Sequence, residues 1–171
     1  MIQRKVCMIG AFAVGKTSLV RRYVHSLFSE QYMTTVGVKI DRKLVDQAGQ
    51  PCALLLWDLY GEDEFQRVQL SYLRGSSGLL IVADGTRQRT LDKALELRDK
   101  AHGAIGPVPT ILVVNKCDLL PQWEIEPAHL DALQGGGLRV IRASAKSGEG
   151  VEQAFSTLNA LMAQAAGPQT P

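Results

Sequence analysis

The sequence has few cysteines, no long apolar run and no block of like charge, and each absence excludes a class of protein. The three cysteines, Cys7, Cys52 and Cys117, are odd in number and form no Cys-x-x-Cys pair, so we expect reduced thiols rather than disulfides or a zinc site. No apolar stretch approaches the roughly 20 residues of a transmembrane helix. A net charge of +2, without a run of like charges, does not indicate a nucleic-acid-binding surface.

The two ends of the sequence show no recognisable targeting signal. Met1 leads directly into a short strand, and residue 2 is isoleucine, so the patterns for a signal peptide and for N-myristoylation are absent. Residues 169–171 contain no cysteine that could be prenylated. We therefore expect a cytoplasmic protein with no encoded lipid anchor. The alternatives are recruitment to a membrane by a partner or a C-terminus that has been shortened.

A phosphate-binding pattern lies near the N-terminus. Residues 10–17 fit G-x-x-x-x-G-K-T, with an apolar run before the pattern and an amphipathic run after it. The glycines let successive backbone N–H groups point at phosphate oxygens, and the following helix adds its positive end. The Lys16 ammonium suits the β- and γ-phosphates, and the Thr17 hydroxyl suits Mg²⁺. The predicted phosphate-binding residues are Gly10, Ala11, Phe12, Ala13, Val14, Gly15, Lys16, Thr17 and Ser18.

Apolar runs and helical patterns alternate along the chain. Continuous apolar runs at 78–83 and 110–114 predict strands that are covered on both faces. Alternation over 37–46, a turn and a run at 51–57 predict an antiparallel hairpin at a sheet edge. The other predicted elements are strands at 6–9 and 138–141 and helices at 16–25, 62–74, 89–102, 127–134 and 150–165.

This order of elements predicts an α/β fold of the P-loop NTPase type. We expect a six-stranded, mostly parallel sheet with one antiparallel edge strand and helices on both faces. The chain length favours one domain over 1–166, followed by a short flexible tail over 167–171. Ligands of such sheets bind at the carboxyl ends of the strands, so the residues that follow the strands are the candidate site.

The strand that ends at Trp57 is followed by Asp58-Leu59-Tyr60-Gly61. The Asp58 carboxylate can reach a magnesium ion through a bound water, since Mg²⁺ keeps several waters. The backbone N–H of Gly61 can approach the terminal phosphate. An Asp-x-x-Gly pattern by itself is equally compatible with a turn.

The strand that ends at Val114 is followed by Asn115-Lys116-Cys117-Asp118. The Asp118 carboxylate can accept the two adjacent N–H groups of guanine, which adenine does not offer, so an adenine would leave it unpaired. The Lys116 stem can lie along the base plane while Asn115 braces neighbouring loops. After the last strand come Ser144, Ala145 and Lys146, and the N–H of Ala145 could donate to guanine O6.

Over about residues 2–165, these motifs resemble in order and spacing those of the Ras-superfamily small GTPases, most closely the Ras and Rab branches. The resemblance implies a switch that binds GTP or GDP with Mg²⁺ and hydrolyses GTP to GDP. The implied partners are an effector protein that recognises the GTP form, an exchange factor and a GTPase-activating protein. Nucleic acid is not an implied partner, and we expect a monomer.

The resemblance also assigns roles to individual residues. It places Phe28 against the base and Tyr32 over the phosphates, with simple loop packing as the alternative for both. The implied metal ligands are Thr17, Thr35 and Asp58. The implied catalytic residues are Lys16, Thr35, Gly61 and Glu62. The candidate effector contacts, for which core or hairpin packing is the alternative, are Val38, Ile40, Trp57, Tyr60 and Tyr72.

Two departures from the family pattern bear on hydrolysis. Glu62 replaces the usual glutamine, and an ionised carboxylate cannot donate a hydrogen bond to the transition state. Phe12 replaces a small residue beside the γ-phosphate, and residues 26–36 supply no arginine. We expect slow hydrolysis. The alternatives are ordinary hydrolysis with Glu62 facing solvent, a scaffold that stays bound to GTP, and, more remotely, a P-loop kinase.

Overall fold

The computed structural model describes residues 1–28, 37–59 and 67–167. The strands are β1 (Ile2–Gly10), β2 (Val38–Gln47), β3 (Gln50–Leu59), β4 (Gly78–Asp84), β5 (Thr110–Asn115) and β6 (Arg139–Arg142). The helices are α1 (Lys16–His25), α2 (Arg67–Tyr72), α3 (Gln88–Ile105), α4 (Pro127–Gly135) and α5 (Val151–Ala166), with a 3₁₀ helix at Cys117–Gln122.

The strands form one six-stranded sheet in the order β2-β3-β1-β4-β5-β6. Neighbouring strands are parallel except β2 and β3, which pair antiparallel as a hairpin. Every residue of β4 is buried, whereas β2 alternates between exposed and half-buried residues. These patterns confirm the predicted fold, because a central strand must be apolar on both faces and an edge strand need not be.

Helices cover both faces of the sheet. On one face, Val6 and Met8 of β1 belong to a core that includes residues of α1 and α5, where the rings of Tyr23 and Phe155 stack at 4.1 Å. On the other face, Ile9 of β1 belongs to a core that includes residues of α3 and α4. Alternate residues of one strand thus serve two cores, as the period of a strand requires.

The structure extends several of the predicted elements and adds one. β1 begins at Ile2 rather than residue 6, because residues 2–8 pair with 52–58 of β3. Its polar residue Arg4 is buried and donates to Oδ1 of Asn159 on α5 at 2.9 Å, a contact that the local pattern does not reveal. Helix α3 runs three residues beyond the predicted 102, and the 3₁₀ helix was not predicted. Of the helix predicted over 62–74, residues 62–66 lie outside the described residues, and the described part ends at Tyr72 rather than residue 74.

The three cysteines are free thiols, with Cys7 and Cys52 buried and Cys117 partly exposed. Of the helices within residues 1–28, 37–59 and 67–167, none has both the length and the apolar character needed to cross a bilayer. Trp57 is half-buried beneath the Lys5 ammonium and tilted against Tyr72, so packing accounts for both aromatic residues. Ile40, in contrast, is 50% exposed on β2.

Candidate functional site

The predicted phosphate-binding loop joins β1 to α1 at the carboxyl edge of the sheet. Ala13 and Gly15 have positive φ angles of 60° and 98°, so the chain curls through left-handed backbone before the helix begins. A Cβ on Gly15 would lie 2.3 Å from Nδ2 of Asn115, and one on Gly10 would lie 2.5 Å from the carbonyl oxygen of Val82. Both positions therefore require glycine, because either contact would be a severe clash.

Lys16 lies inside this loop, and only 6% of its surface is exposed. Its ammonium is 3.3 Å from each of the carbonyl oxygens of Gly10 and Ala11. Burial lowers the pKa of Lys16 to about 8, and the charge of Asp58 opposes part of that shift. A poorly solvated ammonium within a curled loop is suited to an anionic ligand, since it gives up little hydration when the anion binds.

Two oxygen groups meet beside the first turn of α1. The hydroxyl of Thr17 donates to Oδ2 of Asp58 at 2.5 Å, and Asp58 is buried near the end of β3. A hydroxyl that donates its proton to a carboxylate still has lone pairs for a cation, and hard oxygen donors are what Mg²⁺ prefers. The residues present thus fit a magnesium ion. Thr35, the third predicted ligand, lies outside the described residues.

Asn115, at the end of β5, connects two loops. Its Nδ2 donates to the carbonyl oxygen of Val14 at 3.0 Å, and its Oδ1 accepts the N–H of Ala145 at 3.2 Å. The side chain therefore braces the phosphate-binding loop against the loop after β6, which is the role expected from the sequence. The N–H of Ala145, predicted to meet guanine O6, is engaged by Asn115, so a base would have to share that donor or displace it.

Asp118 and Lys116 are both held by neighbouring groups. The Ser144 hydroxyl donates to Oδ1 of Asp118 at 2.8 Å, which fixes the carboxylate predicted to recognise guanine. Lys116 adopts left-handed backbone at φ 73°, and its ammonium lies 2.7 Å from Oδ2 of Asp84. Its carbonyl accepts the indole N–H of Trp123 at 2.8 Å. These contacts restrict the Lys116 stem and backbone at the edge of the candidate site.

A family model described as the Ras family matches residues 5–164 of this chain. The chain belongs to the Ras family. It is 33% identical over 161 residues to the Ras-related protein Rab-32C of Dictyostelium discoideum, covering 92% of this chain and 72% of that protein. It is 36% identical over 153 residues to the Ras-related protein Rab-4 of the same organism, with coverage of 88% and 75%. The match to Rab-13 of Bos taurus is 31% over 156 residues, with coverage of 90% and 77%.

The family relationship makes this chain a small GTPase of the Ras superfamily, similar to Rab proteins. Its fold is that of a P-loop NTPase. Members of the family are GTPases that bind guanine nucleotides with Mg²⁺ and interact with effectors, exchange factors and activating proteins. Which residues of this chain perform each task is a separate question.

In this Ras-family chain, the side chain of Asp84 lies at the centre of a charge cluster that sequence reasoning missed. Its Oδ2 lies near the Lys116 ammonium and also accepts from Nε of Arg87 at 3.1 Å, while its Oδ1 accepts the backbone N–H of Thr86 at 2.9 Å. Burial alone would raise the pKa of Asp84, but hydrogen bonds from Lys116 and Thr86 outweigh it and lower the pKa. The available signal was an aspartate that ends an otherwise apolar strand beside Asn115 in the register.

The same cluster reaches the phosphate-binding loop at Phe12. Nη2 of Arg87 donates to the carbonyl oxygen of Phe12 at 3.0 Å, while 46% of the Phe12 residue surface is exposed. Phe28, the predicted base contact, is 37% exposed. Ser18 is half-buried and Lys146 is exposed. The predicted residues Tyr32, Thr35, Tyr60, Gly61 and Glu62 lie outside the described residues.

Proposed function

We propose that this chain is a guanine-nucleotide switch that binds GTP or GDP with Mg²⁺ at the carboxyl edge of the sheet and hydrolyses GTP slowly. The observation that carries this proposal is the side chain of Asn115. Its hydrogen bonds join Val14 in the phosphate-binding loop to Ala145 in the loop after β6, so two predicted parts of one ligand site form a continuous structure.

The phosphate side of the site consists of the loop amides, Lys16, Thr17 and Asp58. The backbone N–H groups of the loop and the Lys16 ammonium would bind phosphate oxygens. Thr17 and Asp58, joined by a hydrogen bond, would hold Mg²⁺, with Thr35 as a further ligand. When bound, the metal supplies positive charge that offsets the charge of the phosphates.

The base side of the site depends on Asp118. Ser144 fixes one of its oxygens, and the carboxylate would accept the paired N–H groups of guanine. An adenine would leave this exposed carboxylate without those donors, and we expect guanine to be preferred for that reason. The Asp84 carboxylate holds the Lys116 ammonium, so the lysine stem is restrained where it would lie along the base.

The switching part of the proposal concerns Thr35 and Gly61. In the GTP state these residues would close on the γ-phosphate, and hydrolysis would release them. The exposed side chain of Ile40 on the edge strand β2 lies close in sequence to the first of these segments, so it is available to an effector that recognises the GTP form. Equal effector binding by the GDP and GTP-analogue forms would refute the proposal that an effector recognises the GTP form.

Slow hydrolysis is proposed on the basis of Phe12 and Glu62. An ionised Glu62 cannot donate a hydrogen bond to the transition state and places negative charge near developing negative charge. Phe12 is 46% exposed. At the family's position beside the γ-phosphate, its phenyl ring would obstruct an arginine from an activating protein. We expect a rate on the order of 10⁻⁴ s⁻¹ or lower.

A second candidate function is a scaffold that remains bound to GTP and does not depend on hydrolysis. Phe12 and Glu62 are the features that favour it, because both departures from the family pattern act against hydrolysis of bound GTP. In that case GTP would be found in the purified protein, and the effector-bound form would persist without turnover.

The experiment that tests the proposal is the identification of bound nucleotide, followed by turnover. The purified chain is denatured, and the released nucleotide is identified by chromatography. The protein freed of nucleotide is then titrated with GDP and with ADP in the presence of Mg²⁺. A second sample is loaded with GTP by exchange, and its hydrolysis is followed through a single turnover. Guanine selectivity with slow conversion to GDP supports the switch, and bound GTP without conversion supports the scaffold. Binding of neither purine nucleotide refutes both.

A further inference from the structure

Arg22 lies near the C-terminal end of α1 and contacts the loop that would meet guanine O6. We propose that Arg22 is a positioning residue for base recognition, acting through the orientation of two peptide groups and through Asp118. The inference rests on the proposed function, because it assigns to Arg22 the task of holding the proposed base site in its binding geometry.

The guanidinium of Arg22 donates to two consecutive carbonyl groups. Its Nε lies 2.7 Å from the carbonyl oxygen of Ala145, and its Nη2 donates to the carbonyl oxygen of Lys146. Gly148, at a φ of 87°, lies beside this side chain, and a Cβ there would be in ordinary contact with Cδ of Arg22 at 3.7 Å. A planar fork of donors can hold both carbonyls at once, whereas a lysine ammonium is a single point charge.

These two hydrogen bonds fix the orientation of the peptide groups on either side of Lys146. In a trans peptide, the N–H points away from the preceding carbonyl. Because the Ala145 carbonyl faces α1, the N–H of Lys146 faces away from α1. For the same reason, the N–H of Ser147 faces away from the carbonyl that Arg22 holds. Arg22 thus determines where two amide donors of this loop point.

The second of these peptide groups connects Arg22 to the carboxylate that would recognise the base. The N–H of Ser147 donates to Oγ of Ser144 at 3.0 Å, and the Ser144 hydroxyl in turn donates to Oδ1 of Asp118 at 2.8 Å. A rotation of the Lys146–Ser147 peptide would therefore disturb the hydroxyl that fixes Asp118. One guanidinium thus holds the peptide group that follows Ala145 and, through Ser147 and Ser144, the carboxylate acceptor of the proposed base site.

Helix α1 carries residues for both the phosphate side and the base side of the proposed site. Lys16, in the phosphate-binding loop, begins this helix six residues before Arg22, which is about 9 Å along the helix axis. A helix of this length moves as a unit, so a displacement of α1 would change the phosphate side and the base side together. The alternative role of Arg22 is purely structural, in which it fastens α1 to the loop without affecting how the base is recognised.

A base analogue separates these two roles. In 6-thioguanosine diphosphate a sulfur, a much weaker acceptor, replaces O6. Dissociation constants for this analogue and for GDP are measured with the wild-type chain and with Arg22→Ala, Arg22→Lys and Arg98→Ala. Arg98 is the control because it pairs with its neighbour Asp99 on α3. Urea unfolding of each variant reports stability independently of binding.

The wild type should prefer GDP to the sulfur analogue. Arg22→Ala should weaken GDP binding by about tenfold or more, since charged hydrogen bonds to the loop are lost, and should reduce the preference for GDP. Arg22→Lys should give intermediate values. If Arg22→Ala does not fold, the ratio of the two dissociation constants in Arg22→Lys distinguishes the two roles of Arg22. Arg98→Ala should match the wild type.

Equal weakening of both ligands by the Arg22 variants would overturn the inference, because recognition at O6 would then not depend on Arg22. Unchanged GDP binding in Arg22→Ala, or equal affinity of the wild type for the two ligands, would also overturn it. Failure of the wild type to bind GDP would refute the proposed function itself, and that result is visible before any variant is made.

Discussion

Replacing Asp84 with asparagine should weaken both the fold and the proposed base site. The carboxylate is fully buried, and its two oxygens accept hydrogen bonds from three neighbouring residues, Thr86, Arg87 and Lys116. An amide has one acceptor oxygen and one donor nitrogen. If the oxygen faces Thr86, the nitrogen faces the two cations, and the reverse orientation places it against the Thr86 donors. Neither orientation satisfies both sides.

The magnitude follows from the exposure of the partners. A hydrogen bond to a charged group contributes roughly 1.5–3 kcal/mol. The side chains of Lys116 and Arg87 are 35% and 28% exposed, so water would replace part of the lost interaction. We therefore expect the free energy of unfolding to fall by about 2 kcal/mol. For a chain of this length, that corresponds to a decrease in Tm of roughly 4–8 °C.

Urea unfolding of the GDP-bound protein measures this change, with Asp92→Asn, at an exposed position of α3, as the matched control. GDP affinity should fall as well, and adding Lys116→Ala to the Asp84 variant should cost less than it does in the wild type. Wild-type stability in Asp84→Asn, or additive effects of the two substitutions, would refute this account of the cluster.

The sign of the pH dependence provides an independent check on Asp84. Its pKa is lowered in the folded chain, so in acid the unfolded chain binds more protons than the folded one. The stability that this carboxylate contributes is present above the ordinary value of 3.8 and is lost as the pH falls through the folded pKa. Asp84→Asn should therefore lose less stability than the wild type over that acidic range.

Three further predictions concern the proposed nucleotide site and the Cys117 thiol. Phe12→Gly and Glu62→Gln should each raise the single-turnover rate of GTP hydrolysis, by about tenfold for restored water positioning. Gly15→Ala should reduce GDP affinity by at least about a hundredfold, since the new Cβ would clash at 2.3 Å in left-handed backbone. Cys117 should react slowly with iodoacetamide at pH 8, because burial and Glu149 raise its pKa to about 11, and Glu149→Gln should speed the reaction.

Each of these measurements has an outcome that contradicts it. Hydrolysis at the wild-type rate in both variants would show that neither departure from the family pattern limits the reaction. Gly103→Ala is the control for Gly15, since a Cβ there meets nothing within 4 Å, and equal GDP affinity of the two variants would be evidence against a steric requirement. A Cys117 thiol that reacts as fast as a free cysteine would contradict the raised pKa.

The fold was largely predictable because burial leaves a direct mark on the pattern of each strand. Strand β4 is continuous and apolar and lies inside the sheet, whereas β2 alternates and lies at its edge. The pattern was insufficient at the start of β1, where the polar residues Gln3, Arg4 and Lys5 precede the apolar run. The guanidinium of Arg4 finds a partner in Asn159, which lies 155 residues later, and no local rule indicates such a contact.

The motifs of the candidate site could be predicted from the sequence, but the contacts between residues distant in sequence could not. The sequence proposes Asn115, Asp118 and Ser144 because each belongs to a short pattern with a chemical purpose. Arg22 and Asp84 belong to no such pattern. Their roles arise because parallel strands deliver distant segments to one edge, so that α1 meets the loop after β6 and β4 meets the lysine after β5.

The residues that would recognise guanine belong to different parts of the chain from those that would respond to the γ-phosphate. On the base side, Asp118, Lys116 and the loop at Ala145 are each held by hydrogen bonds from described residues, so that side is built by the fold itself. The residues proposed to sense the γ-phosphate, Thr35 and Gly61, belong to other segments. In the proposed switch, the base contacts of Asp118, Lys116 and Ala145 come from described residues outside those segments. We therefore expect affinity for GDP and the rate of GTP hydrolysis to vary independently, so that Glu62→Gln should change turnover without weakening GDP affinity.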